Sequence, residues 1–528
     1  MADCLTRHWT VTQPIKSPAQ LEAEQYLFCL PWFNDQYFVW RAIRFNRWYL
    51  FAASFLCQFC CGSVYAWSIY NTPMDTYLFG NGADGRSPYT FYIAIGTLGS
   101  TAAVLGPWLE RHGPRRGMFL GATMFFLGHL TTAVALYYKS IVGVYVGYGL
   151  IGGFGIGINY ISPVSALQKW FPDMRGTAAG FAVAGFGAGS TVWGKVYLPA
   201  AKLFGLPGNF VVLGAIMAAI MYGCTIVMRT PPPGFEVAGI NVHGLRQDDG
   251  IAPYAKSEDA AARDVQVQTQ YAHVKAMQLR DCLLNIDYGF MYVMLFGNIV
   301  FGLVLLGRLS TMATGLFGQT ANEGTNVVAI NGVFNCVGRL FWPLVSDVLV
   351  RGFKLNPPFA RKLVFLMTLG LQLVLIYSME LVIRTKNYDA FRAQIWLLTL
   401  CLGGGFGTIP AFLTDMFGAY NIGAVHGVIL TAWSLAGVVG GLGFTFYYNT
   451  LTHASPPVSV QDAYLRNIHW IVLITLAGFL ATFCVRSRGE DRFAADCKYQ
   501  YSVCGKPVIR IGRQARHENT PEASAVVA

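Results

Sequence analysis

Twelve apolar stretches of about 20 residues, each long enough to cross roughly 30 Å of hydrocarbon, punctuate the 528-residue chain. They fall near 48–70, 89–109, 117–138, 141–164, 177–198 and 208–228, then near 288–306, 326–346, 363–382, 394–412, 422–448 and 466–485. With 54% hydrophobic and only 12% charged residues, a soluble multidomain protein is excluded. The expected fold is an all-α membrane protein of twelve transmembrane helices in two six-helix bundles.

Charge sets the orientation. A net charge of +11 could point to nucleic acid, yet 28 of the 38 Lys and Arg lie in the two termini and in the loops after even-numbered stretches. That asymmetry is the positive-inside pattern and places both ends in the cytosol, with no nucleic-acid partner. The organisation read from this is a cytoplasmic N-terminal segment (1–47), a first bundle (48–228), a polar linker opened by Pro231, Pro232 and Pro233 (229–285), a second bundle (286–486) and a cytoplasmic tail (487–528). The tail turns polar and small towards its end, the composition of a disordered segment. The first 47 residues carry Asp3, Glu22, Glu24 and Asp35 and no long apolar core, so they do not read as a cleaved signal.

Arg339, in the eighth stretch, is almost the only cation deep inside any apolar segment. A guanidinium there costs roughly 2.5–3.5 kcal/mol on insertion scales, so it is expected to face a polar cavity and an anionic partner. Asn331 and Asn335 stand at four-residue intervals before it and share its helical face. The plainer alternative pairs Arg339 with a backbone carbonyl or with Asp347. On the eleventh stretch Trp433 either closes over a substrate or packs against the eighth. Tyr65 and Tyr160 offer hydroxyls to a carboxylate, Trp67 is read with them as substrate-binding, and Gln58 and Asn159 either line the same cavity or join helices. Glu110 with Arg111, and Asp347 with Arg351, read as charge latches at the cytoplasmic face or simply as topology-setting charge. Lys195 is expected to snorkel.

Other motifs exclude functions. Gly147 to Gly157 lacks the strand and lysine of a nucleotide loop and reads, like Gly185 to Gly189, as close helix packing. Cys57, Cys60 and Cys61 have no second ligand pair for zinc, and no exofacial disulfide framework is expected from the twelve cysteines. No nucleophile, base and orienter share one membrane depth, so the chain does not read as an enzyme. No cofactor or metal is called for, and a monomer is expected. Glu380, His129 and His426 are the few titratable candidates for proton coupling, so exchange or uniport fits better.

An internal repeat links the halves. Gly106-Pro-Trp-Leu-Glu110-Arg111-His-Gly113-Pro-Arg115-Arg116 corresponds to Pro343-Leu-Val-Ser-Asp347 with Arg351, and Gly152–Gly157 leading to Asp173 and Gly176 has an echo in Gly403–Gly407 leading to Asp415 and Gly418. Two similar halves about a midplane cavity is a transporter architecture. The first of these segments resembles the G-x-L-x-D-R-x-G-R-R loop of the major facilitator superfamily, with Glu110 for the usual Asp and Pro114 for a basic residue. Tyr65-Ala66-Trp67-Ser68 and the run from Gly155 to Gly176 resemble the oxalate/formate antiporter and monocarboxylate carrier branch. The resemblance implies a secondary transporter of small carboxylates such as formate, lactate, pyruvate or oxalate, a proton-coupled symporter or a transport-inactive sensor being the alternatives. It also implies that Arg339 stands where the branch has its carboxylate-binding Arg. Trp433 replaces the branch's second cation, a Lys, which favours a smaller or singly charged anion. Gly338 replaces the Asp that precedes the Arg in proton-coupled animal carriers.

Overall fold

The computed structural model describes residues 8–11, 15–82, 85–241, 277–452, 454–494, 497–503 and 506–512. Among them, eleven helices are long and apolar enough to cross a membrane. They are α1 (Tyr49–Ile69), α2 (Pro88–His112), α3 (Pro114–Tyr137), α4 (Ile141–Trp170), α5 (Pro172–Val227), α6 (Ile286–Leu306), α7 (Ala321–Arg351), α8 (Pro357–Arg384), α9 (Tyr388–Phe417), α10 (Ile422–Thr452) and α11 (Val460–Cys484).

The count differs from twelve for one reason. Helix α5 has 56 residues, which as a straight rod would run about 84 Å. At Gly205 its backbone leaves the helical region (φ 71°, ψ 162°), a conformation open to glycine. Trp170, just before α5, donates its indole N–H to the carbonyl of Arg229, just after it, at 2.8 Å. Both ends of α5 therefore lie at one face, and this helix holds the fifth and sixth passes.

The halves meet along two seams, α2 against α10 and α5 against α7. Helix α1 tightens to a 3-10 turn over Gly62–Ile69, which carries Tyr65, and α10 loosens to a π turn over Ala436–Gly440, just beyond Trp433.

The face that carries both chain ends is more structured than composition implied. A hairpin of β1 (Tyr26–Pro31) and β2 (Tyr37–Arg44) precedes α1. Arg229 fastens it by donating to the carbonyls of Glu24, Tyr26 and Leu27 at 2.7–2.8 Å. Burial lowers the Arg229 pKa to about 10, so it stays charged at neutral pH. The first part of the tail departs from the expectation of disorder. Residues Tyr499–Val503 and Lys506–Ile511 pair as a hairpin, held by Asp491, which accepts from the Ser502 amide (3.0 Å) and hydroxyl (2.6 Å). Just before it, the buried Arg486 forks onto the buried Asp287 at 2.8–3.2 Å. A composition-based reading misses this because the ordering contacts come from α6 and a four-residue helical turn. Within the linker, residues 242–276 lie outside the described residues, as do 513–528 of the tail.

Candidate functional site

Arg339 sits midway along α7, and its backbone is gripped from both sides. A Cβ at Gly180 of α5 or at Gly407 of α9 would strike the Arg339 carbonyl, so only glycine lets the three helices close on this turn. The side chain is fully buried, at 0% exposure. Its Nε donates to Asn335 Oδ1 at 2.7 Å, one Nη donates to the Tyr160 hydroxyl (3.3 Å) and the Val183 carbonyl (3.2 Å), and the other reaches the Tyr65 hydroxyl at 3.5 Å. Phe406, Phe186 and Tyr65 present ring faces at 4.7, 5.3 and 6.0 Å. Cation–π contacts and neutral oxygens offset part of the desolvation cost. Among the described residues, no carboxylate pairs with Arg339.

Trp433 closes the other side of this nest. Its ring lies 4.5 Å from Phe406, 5.1 Å from Tyr160, 5.4 Å from Phe186 and 6.1 Å from Tyr65. The indole N–H and the Asn335 Nδ2 are buried without partners. Such orphaned donors are costly in a closed interior and are the groups an anion would satisfy. His426 lies next to Tyr160, rings 6.0 Å apart, with Nε2 also unpartnered.

Of the nine side chains read from the sequence as substrate-binding, the structure brings five together: Arg339, Asn335, Tyr65, Tyr160 and Trp433. Asn331 shares the stripe but lies two turns away, its Oδ1 accepting from Thr399 at 2.6 Å. Three stand elsewhere. Gln58 donates to the Asn159 and Tyr160 carbonyls at 3.3 and 2.9 Å, joining α1 to α4. Asn159 turns to Gly121 and Met221, and Trp67 packs at a tilt on Tyr148 and donates to the Ser87 carbonyl at 3.0 Å. Phe186 and Phe406 were missed. Each is a lone aromatic inside a glycine run, and that was the available signal.

The terminal face is shut by two related devices. Glu110 at the end of α2 accepts from the Gly423 amide at the start of α10 (2.7 Å) and from Ser165 (2.9 Å), and pairs with Lys169. Asp347 at the end of α7 accepts from the Gly176 and Thr177 amides near the start of α5 (3.2 and 2.6 Å) and from the Thr177 hydroxyl (2.7 Å). It pairs with Arg361 at 2.6 Å. In each half an acid thus caps a helix N-terminus of the other half, where backbone donors and dipole favour negative charge. The cations differ from those the sequence offered. Arg111, next to Glu110 in the chain, turns to His8 and to the Thr10 carbonyl, and Arg351, the last residue of α7, is exposed. Arg175 adds a bond across the halves to Asp415 at 3.3 Å.

The far face is also closed. Lys195 bonds Asn326 and Thr191 donates to the Ala329 carbonyl at 3.0 Å, each crossing between halves, and nearer the centre Ser434 donates across to the Ile95 carbonyl at 2.8 Å. The central side chains are 0–1% exposed. This conformation is occluded on both sides.

Comparison with known proteins agrees with this fold. The chain is 23% identical over 394 residues to the uncharacterized MFS-type transporter YhjX of Escherichia coli, covering 74% of this chain and 86% of that protein. It is 25% identical over 397 residues to the oxalate:formate antiporter of Oxalobacter formigenes, covering 75% and 84%. In fold it is similar to the proton:xylose symporter XylE bound to 6-bromo-6-deoxy-D-glucose, with a TM-score of 0.59 and 16% identity, covering 83% of this chain and 95% of that one. The Major Facilitator Superfamily model matches residues 88–441. The chain belongs to the Major Facilitator Superfamily, whose members are transporters rather than enzymes.

Proposed function

We propose that this protein carries small carboxylate anions across a membrane by alternating access, in exchange or uniport, with Arg339 as the anion's counter-charge. One observation carries the reading: a fully buried guanidinium is held by neutral groups only, beside donors that have no acceptor. A carboxylate supplies the missing negative charge and the missing acceptors, and a guanidinium matches its two oxygens as a fork. The likeness to an oxalate:formate antiporter supports the same class. Formate, lactate and pyruvate fit a site with one cation better than oxalate does. Both termini are assigned to the cytosol on the charge asymmetry, and the working unit is taken as a monomer. Purified protein in liposomes tests this: saturable uptake of labelled formate, pyruvate or oxalate is expected. Binding without flux would turn the reading to a sensor of the same fold.

A second reading, proton-coupled symport, is favoured by His426 alone, buried against Tyr160 with a free ring nitrogen. Flux accelerated by an imposed pH gradient in the wild type, and indifferent to it in His426→Gln, would select symport.

Trp433 and Arg339 face the same Phe186 and Phe406 rings. Trp433→Lys therefore places a second cation against the nest, and two like charges there need a doubly charged guest. Oxalate is expected to gain on formate in competition by about tenfold, the factor that 1.4 kcal/mol represents. An unchanged ratio would assign Trp433 to packing.

A further inference from the structure

A second guanidinium has surroundings that repeat those of Arg339. Arg308 follows directly on α6, at the far face. One Nη donates to Thr445 of α10 at 2.7 Å, and Nε has no partner. Phe444 and Tyr448 lie under the guanidinium at 5.1 and 5.4 Å. No carboxylate pairs with it among the described residues. Beside it is a small apolar crevice lined by Val304, Leu305, Met312, Phe444 and Tyr464.

The first half of the chain reaches this place with Tyr92. Tyr92 of α2 is buried at 1% exposure and faces Arg308 and Thr445. It is wedged between Gly307 and Gly441: a Cβ on Gly307 would lie 2.9 Å from the Tyr92 hydroxyl, and one on Gly441 would meet its ring. Its hydroxyl, like that of Tyr464, lies against the Arg308 guanidinium, a neutral contact that supplies no counter-charge. Because α2 belongs to one half and Arg308 to the other, parting of the halves at this face withdraws the phenol and leaves the guanidinium open to the medium. Thr445 stands twelve residues from Trp433 on α10, about 18 Å along the helix at 1.5 Å per residue.

We propose that Arg308 is an outer binding station for the transported carboxylate. The anion docks on its guanidinium with any short alkyl end in the adjoining crevice, and from there passes inward to Arg339. In the occluded conformation Tyr92 occupies the anion's place. This inference rests on the carboxylate reading given above. A positive group at the mouth raises the local anion concentration, and it does so less as salt screens it.

Right-side-out proteoliposomes with labelled formate and labelled pyruvate test the station. Arg308→Gln is expected to raise the external half-saturation concentration by about tenfold and to flatten the dependence of low-concentration uptake on inert salt. Arg308→Lys is expected to stay within about threefold of wild type, because the charge is kept. A fall in maximal rate and melting temperature in Arg308→Gln, with half-saturation and salt dependence unchanged, would overturn the station and leave Arg308 a structural pin. Failure of both variants to assemble would overturn it equally. Wild-type protein that moves neither these probes nor oxalate would overturn the carboxylate reading and the station together, whereas wild-type flux with an unaffected Arg308→Gln sinks the station alone.

Discussion

Arg339→Ala is expected to reduce carboxylate uptake by proteoliposomes at least about 100-fold while the protein still assembles with a near-normal melting temperature. Each charge-assisted hydrogen bond to a carboxylate is worth about 1.5–3 kcal/mol, and a bidentate fork supplies two, so about 3–6 kcal/mol of anion binding is lost. The second half of the expectation follows from the missing counter-ion. Removing one member of a buried ion pair strands its partner and destabilises strongly, but Arg339 has no carboxylate to strand, only Asn335, two tyrosine hydroxyls and a carbonyl. Arg339→Lys keeps a positive charge but loses the planar fork, and about tenfold weaker uptake is expected. Uptake assays beside thermal melts decide the matter. Normal flux in the Ala variant would remove Arg339 from the site, and a collapsed melt would make its role structural.

The residues that sequence reasoning could find are those whose signal is local. Arg339 and Asn335 were legible because the cost of a guanidinium in hydrocarbon is a property of the residue, and four-residue spacing is a property of the helix. Tyr65 and Tyr160 became legible through family-like motifs rather than through chemistry, since a tyrosine in an apolar run packs as readily as it binds. The same default hid Phe186 and Phe406, which hold the cation by their faces. Gln58 and Asn159 show the converse error. Both are polar residues inside spans, and both are spent on neighbouring helices of their own half.

Contacts made across the chain were not legible at all. Lys169 is 59 positions from Glu110, and Gly423 is 313 positions away; no spacing rule joins them. The acids were nevertheless recognisable, because the repeat places Glu110 and Asp347 at corresponding helix ends. The turn at Gly205 lies between two stretches read as separate crossings, and in the structure the helix runs on through it. The described start of the tail is ordered by Asp491 within it and by the Arg486–Asp287 pair just before it, contacts that composition does not report.

Glu110→Gln combined with Asp347→Asn is expected to open the terminal face and slow transport. The bonds these two acids make across the halves are few: one amide to Glu110, and two amides and a hydroxyl to Asp347. Lys169 and Arg361 sit in the same halves as their acids, so they hold each acid in place without bridging the seam. Neutralising a carboxylate at a helix N-terminus costs up to about 2 kcal/mol in partly buried geometry, and the two latches together about 2–4 kcal/mol. That shifts the balance between closed and open by roughly 30- to 1,000-fold. Flux falls because the carrier must close this face again in every cycle. Spin labels at Arg116→Cys and Lys354→Cys, both exposed positions in different halves, report the change once accessible native cysteines are replaced. The distance between them is expected to lengthen in the double variant and to stay put in Arg351→Gln, whose side chain points to solvent. An unaltered distance in the double variant would mean that the seams of α2 with α10 and α5 with α7, with the Arg175–Asp415 bond, hold the face shut, and that the two caps only tidy the helix ends.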